Sequence, residues 1–91
     1  MQCEEKVANG KLVCFDVECK EGRTQSVKLT GDFFLHPEDA IEWVESSLSG
    51  IETDISDKEL VSLISEALQG AELIGATPED LARIFRRAAN K

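Results

Sequence analysis

The sequence predicts an α+β domain, a small antiparallel sheet of about three strands (an N-terminal meander) with about three helices packed on one face. Three observations predict it. Residues 11–19 alternate apolar and polar side chains with the period of a strand. Asn9-Gly10 and Lys20-Glu21-Gly22-Arg23 punctuate that region as turns. From Pro37 onward, apolar residues recur at helical spacing between capping residues and glycine stops. Strands followed by helices, with no Pro/Gly-rich linker or repeat, make residues 1–91 one domain.

The strands follow in order. Asn9-Gly10 is a strong hairpin signal, because both central positions of a type I′ turn need positive φ. A first strand around Cys3–Ala8 is therefore expected to pair back on the second. In Lys11–Cys19, Val13, Phe15, Val17 and Cys19 share one face, while Leu12, Cys14, Asp16 and Glu18 face the other way. Residues Thr24–Thr30 form the third strand, with Val27 and Leu29 inward.

The helices carry their own boundaries. Pro37 suits a first helical position, and Glu38 and Asp39 complement the positive helix end. Ala40, Ile41, Val44 and Leu48 form the apolar stripe of the first helix, and Gly50 ends it. Ser56-Asp57-Lys58-Glu59 reads as a capping box opening the second, with Ile55 able to staple onto Leu60. Leu60, Leu63, Ile64, Ala67 and Leu68 are its buried side, and Gly70 its stop. Thr77 caps the third helix, Pro78 occupies its first turn, and Leu81, Ile84, Phe85 and Ala88 face the core. Arg83, Arg86, Arg87 and Lys91 sit toward its negative end, so helix stabilisation accounts for this basic cluster.

Composition narrows the function. Eighteen acidic residues against ten basic ones give a net charge of −8. Such a surface repels phosphate backbones and anionic lipid, so neither nucleic acid nor membrane is an expected partner. No apolar run approaches the ~20 residues of a membrane span, and Met1-Gln2-Cys3-Glu4-Glu5-Lys6 has no apolar signal core. A cytoplasmic location is expected. A domain of this size buries only roughly 60–65% of its unfolded surface, leaving little room for a self-contained active site.

The catalytic templates find no match. His36 is the single histidine and flanks a helix rather than a nucleophile. Glu38, Glu42 and Glu45 lie on one side of the first helix and read as a solvated face. Cys3, Cys14 and Cys19 are an odd set without zinc spacing. Cys14 and Cys19 face opposite sides about 17 Å apart in an extended strand. With a two-residue turn at Asn9-Gly10, Cys3 falls opposite Asp16 and diagonal to Cys14, which would allow a Cys3–Cys14 contact. No catalytic and no metal-binding residue is assigned.

The segment Thr30-Gly31-Asp32-Phe33-Phe34-Leu35-His36-Pro37 stands apart. Gly31 interrupts a strand, which marks a bulge or a close backbone approach. Phe33 and Phe34 point to opposite faces of an extended chain. Either one of them needs cover from elsewhere and is a docking candidate, or both pack beneath the first helix at the strand–helix corner.

Gly31-Asp32-Phe33-Phe34, followed by Pro37-Glu38 and an amphipathic helix, resembles the signature of the C-terminal or accessory domain of lipoate–protein ligase. Gly10-Lys11-Leu12-Val13, with Lys6 upstream, is similar to that family's strand opening. Ile74-Gly75-Ala76-Thr77-Pro78-Glu79-Asp80-Leu81 is similar to the opening of its last helix. The segments occur in the family's order and span nearly the whole chain. The large catalytic domain is missing, and the chain starts at Met1, which resembles the split ligases whose accessory domain is a separate small subunit.

The resemblance implies a non-catalytic subunit, inactive alone, that forms a heterodimer with a large catalytic subunit. The pair would use ATP to activate lipoate as lipoyl-AMP, then pass the lipoyl group to a lysine of a lipoyl domain. Lipoyl domains of 2-oxoacid dehydrogenase complexes or the glycine cleavage H protein would be met only indirectly. ATP, Mg and lipoate would lie in the large subunit, with no cofactor bound by this chain alone. Lys11, Gly31, Asp32, Phe33 and Phe34 are the implied partner- or ligand-facing residues: Phe33 or Phe34 as apolar anchor, Lys11 toward phosphate or a partner carboxylate, Gly31 for close approach. Asp32 would equally serve to cap its own turn. Two other functions compete: a cysteine-based sulfur or iron–sulfur carrier scaffold, and an acidic interaction module unrelated to lipoate.

Overall fold

In the computed structural model, which describes residues 2–7 and 11–90, three antiparallel strands are ordered β1-β2-β3: β1 (Gln2–Lys6), β2 (Leu12–Lys20) and β3 (Arg23–Gly31). A second, two-stranded sheet pairs β4 (Phe34–His36) with β5 (Glu72–Ile74). The helices are α1 (Ala40–Leu48), α2 (Asp57–Ala67) and α3 (Pro78–Ala89). The α+β architecture matches expectation, and the short β4–β5 ribbon is an addition to it. Helix α3 packs on β1 and β2, α1 packs on β3, and α2 lies against both α1 and α3.

The inward face of β2 is the one the alternation defines: Val13, Phe15 and Val17 are fully buried. Phe15 meets Phe85 of α3 edge-on at 5.5 Å between ring centres, a favoured aromatic geometry. Leu29, Val44, Leu48, Leu60, Ile64, Leu81 and Ile84 are among the other large side chains of the core.

The β2–β3 hairpin turns on Glu21 and Gly22, both at positive φ (55° and 78°), as a primed turn requires. A bulge between Glu18 and Cys19 pairs Glu18 with Ser26 but Cys19 with Thr24. The extra residue reverses which side of β3 faces inward. Val27 and Leu29 point in by their odd positions, and beyond the bulge Thr24 does too. Buried there, the Thr24 hydroxyl donates to Leu48 O (2.6 Å) and accepts from Ile51 N–H (3.1 Å).

The first hairpin departs from expectation. Asn9 and Gly10 lie outside the described residues, but the strands on either side show the register. Cys3 pairs with Phe15 and Lys6 with Leu12, while Val7 N–H donates to Lys11 O. Residues 8–10 therefore separate the paired positions, one more than a two-residue loop allows. A slip of one residue exchanges the faces of a strand. Cys3 consequently sits in the core beside Phe15, and Cys14 lies on the opposite face between Glu4 and Thr30. The Cys3–Cys14 contact is ruled out by this register.

Helix α1 starts at Ala40, so Pro37 is not its first residue. Pro37 O accepts from Ala40 N–H (2.9 Å) within a turn that precedes the helix, after a cis His36–Pro37 bond. Ser56 caps α2 by accepting from Glu59 N–H (3.2 Å). Thr77 and Asp80 form a full reciprocal capping box on α3, with Pro78 in its first turn. Residues 50–53 run along the outer edge of β3, with Thr24 N–H donating to Ile51 O and Thr53 N–H to Gly22 O.

Candidate functional site

Three segments far apart in sequence meet at one end of the sheet. Beyond β3, Asp32 N–H donates to Leu12 O (3.0 Å), and Leu12 N–H donates to the Asp32 carboxylate (2.5 Å). Gly31, at φ +156°, lets these backbones touch, since a Cβ there would fall 2.3 Å from Leu12 O and 2.9 Å from the Phe33 ring. A Cβ on Gly75 would stand 2.9 Å from Lys11 Cγ and 3.7 Å from Phe33 Cβ, so the Lys11 stem and Phe33 lie against that glycine. The strand opening at Lys11-Leu12, the Gly31–Phe34 segment and the approach to α3 thus form one junction.

Within it the five sequence candidates divide by surroundings. The contacts of Gly31 and Asp32 are internal: Gly31 meets the chain's own backbone, and Asp32 caps the start of β2 instead of its own turn. Phe33 is partly buried against the core. Phe34 is 52% exposed and Lys11 is exposed. The question of which phenylalanine faces out is therefore resolved: Phe33 packs, Phe34 does not.

Strand β5 adds residues that sequence reasoning placed only in the run-up to a helix. Phe34 pairs directly with Ile74, which is also 52% exposed. Cross-strand partners stand roughly 4.5–5.5 Å apart at Cβ, so the two form one apolar patch. The His36 ring stacks on Phe34, 6.1 Å between centres and 11° from parallel. The ribbon's other face carries Leu35, buried, and Leu73, packed against the core. Burial alternates along Glu72-Leu73-Ile74, but the sequence, polar-apolar-apolar over three residues, carries no alternation that would mark β5. Trp43 on α1 is the third large exposed apolar residue among those described.

Several charged groups outside the junction have structural partners. Glu5 of β1 lies between two arginines of α3, with Arg83 Nε at 3.0 Å and Arg87 Nη1 at 2.6 Å. The Arg83 hydrogen bond, opposed by partial burial, holds the Glu5 carboxyl below the usual carboxylate range, and the same bond raises Arg83. Arg86 Nε donates to Asp57 (3.0 Å), and its guanidinium also holds Thr53 O and Ile55 O. The basic cluster thus ties α3 to β1 and to the start of α2, beyond a stabilisation of its own helix; Lys91 lies outside the described residues. Glu45 is not a solvated carboxylate, because it accepts from the edge amide Leu29 N–H at 2.8 Å. Glu38 precedes α1 instead of lining it.

Cysteine chemistry finds no gathered site. Cys3 and Cys14 face opposite sides of the sheet, and Cys19 Sγ donates to Ala89 O at 3.6 Å. Among the described residues, no three His, Cys, Asp or Glu side chains converge as a metal site. No helix among them is long and apolar enough to cross a membrane. Two shallow grooves, about 540 Å³ beside Ile55 and Leu63 and about 360 Å³ between Val61 and Ala82, lie on α2 and α3. Neither is lined by Lys11, Phe34 or Ile74.

No protein-family model and no curated protein matches this chain. Among solved structures it is similar to a chain from an archaeal lipoylation system of Thermoplasma acidophilum, a bi-partite lipoate protein ligase and its E2 lipoyl domain. The TM-score is 0.75 at 26% identity, over 98% of this chain and 92% of that one. The likeness agrees with the resemblance carried by Gly31–Phe34 and is consistent with a small lipoate–protein ligase subunit, so this chain is similar over nearly its whole length to a component of a bipartite lipoylation system.

Proposed function

We propose that this chain is the accessory subunit of a bipartite lipoate–protein ligase, acting in the cytoplasm with a large catalytic subunit. Together the two activate lipoate to lipoyl-AMP with ATP, and the large subunit transfers the lipoyl group to a lysine of a lipoyl domain. One observation carries the reading. The three segments that resemble the ligase family meet at a single junction around Lys11, Gly31 and Gly75, with Phe34 exposed beside it.

The division of labour follows from the residues. Gly31, Asp32 and Phe33 set the frame: backbone approach, strand capping and packing. Lys11 is exposed, with its stem on Gly75, and offers its ammonium to an oxyanion, a nucleotide phosphate or a carboxylate of the large subunit. A mixed anhydride hydrolyses if water reaches it, so a docked domain that orders the nucleotide loops favours adenylation over loss of the intermediate. ATP, Mg and lipoate are held by the large subunit in this reading. The test is to mix both chains with ATP and lipoate and follow lipoyl-AMP. Product only when both are present supports the proposal. A large subunit that transfers preformed lipoyl-adenylate, yet gains nothing from this chain in the first step, refutes it.

A further inference from the structure

We infer that the outward face of the β4–β5 ribbon, with Phe34 and Ile74 at its centre and His36 stacked on Phe34, receives an apolar pocket of the large ligase subunit rimmed by basic side chains. The inference rests on the function proposed above and deepens it by naming the surface and the chemistry of the partner.

A pair of short strands is marginal by itself. This ribbon is held through its inner face, where Leu35 is buried and Leu73 packs on the core. Its outer face therefore presents an aromatic and a β-branched residue on a supported frame, each 52% exposed. Little conformational freedom remains there to be lost on docking. Anchors of this kind, apolar and backed by a rigid element, dominate interface energies.

Charge narrows the occupant. Glu72 lies across the ribbon from His36, and Glu38 and Asp39 follow β4 beyond Pro37; all three are exposed, and Lys11, against Gly75 at the ribbon's other end, sets one positive charge beside them. Among the described residues none of the three has an ion-pair partner. An apolar patch with three carboxylates and a single ammonium on its rim fits a partner whose pocket has a mainly basic rim. A second copy of this chain does not fit, because each copy carries −8 and would bring like-charged rims together. Trp43, the remaining large exposed apolar residue among those described, is on α1 and outside the ribbon.

The experiment uses the full chain and the large subunit. Dissociation constants are measured by calorimetry for wild type, Phe34→Ser, Ile74→Ser and Trp43→Ser, with circular dichroism reporting whether each is folded. Weakening of roughly 30-fold or more is expected for the ribbon variants, and less than about 3-fold for Trp43→Ser. Association of wild type slows as salt rises. Amide hydrogen exchange on the wild-type complex, which needs no variant to fold, shows protection at residues 34–36 and 72–74. Ribbon variants that bind like wild type, or protection confined to other elements, overturn the surface while leaving the ligase role standing. A wild-type chain that neither binds the large subunit nor stimulates it overturns both.

Discussion

Replacing Gly31 with Ala tests whether the junction is held by the close approach of two backbones. An alanine Cβ would stand 2.3 Å from Leu12 O, well inside contact distance, and 2.9 Å from the Phe33 ring. The ring can turn aside, but Leu12 O belongs to a central strand, so the chain beyond Gly31 must move. That movement breaks the reciprocal pair between Asp32 N–H and Leu12 O and between Leu12 N–H and the Asp32 carboxylate. Each bond contributes about 1 kcal/mol net, more where a charge is involved. Positive φ adds of order 1 kcal/mol for a residue with a side chain. After partial relaxation the loss is about 2–4 kcal/mol, or roughly 10–30 °C in Tm for a domain of this size. Urea unfolding of Gly31→Ala beside Gly50→Ala is the assay. Gly50 has φ +80° with nothing within 4 Å of its Cβ position, so its replacement isolates the backbone cost at about 1 kcal/mol. If Gly31→Ala is no more destabilised than Gly50→Ala, the steric argument is wrong.

Further outcomes are expected. Thr77→Ala removes one arm of the α3 capping box and lowers stability by about 1 kcal/mol, read from a thermal melt. The Glu5 carboxyl titrates below its unfolded value, so its stabilisation is present above the unfolded pKa and fades as pH falls through the folded one. Glu5→Gln should therefore cost a fraction of a kcal/mol near neutrality and nothing at low pH, in urea titrations run from pH 7 to 3. Phe85→Ala opens a cavity opposite Phe15 and costs about 3–5 kcal/mol, a large part of the stability of a domain this size, read from urea unfolding. A triple Cys→Ala variant that remains folded should stimulate lipoyl-AMP formation as wild type does; loss of stimulation in a folded variant would favour sulfur chemistry.

The fold was largely legible because its signals are local. Alternation in β2 selected Val13, Phe15 and Val17 for the core, and Thr77-Pro78 with Asp80 placed the start of α3. Non-local features were not legible. The Cys3 register depends on the length of a connection, and Asn-Gly favours a two-residue turn without excluding a longer one. Strand β5 has three residues and exists only because β4 pairs with it. Glu45, Arg83 and Arg86 fit solvated or dipole-stabilising roles on a helix, and their actual partners lie on other elements. The candidate site was half visible. Its motif residues stand out in sequence, but only folding brings Ile74 beside Phe34 and Gly75 beneath Lys11.

The clamp between Glu5 and the α3 arginines has a kinetic consequence. It joins residues 78 and 82 positions apart, so a very large loop must close before those bonds reward the closure. The β2–β3 hairpin, by contrast, closes over the two residues of its turn. Contacts of such different span are expected to form at different stages, the hairpin in the nucleus and the docking of α3 on β1 after the barrier. Weakening the clamp should then leave the refolding rate nearly untouched and show itself as faster unfolding. On that account Glu5, Arg83 and Arg87 lengthen, by at most a few-fold, the time a folded molecule lasts and leave the time it takes to form unchanged.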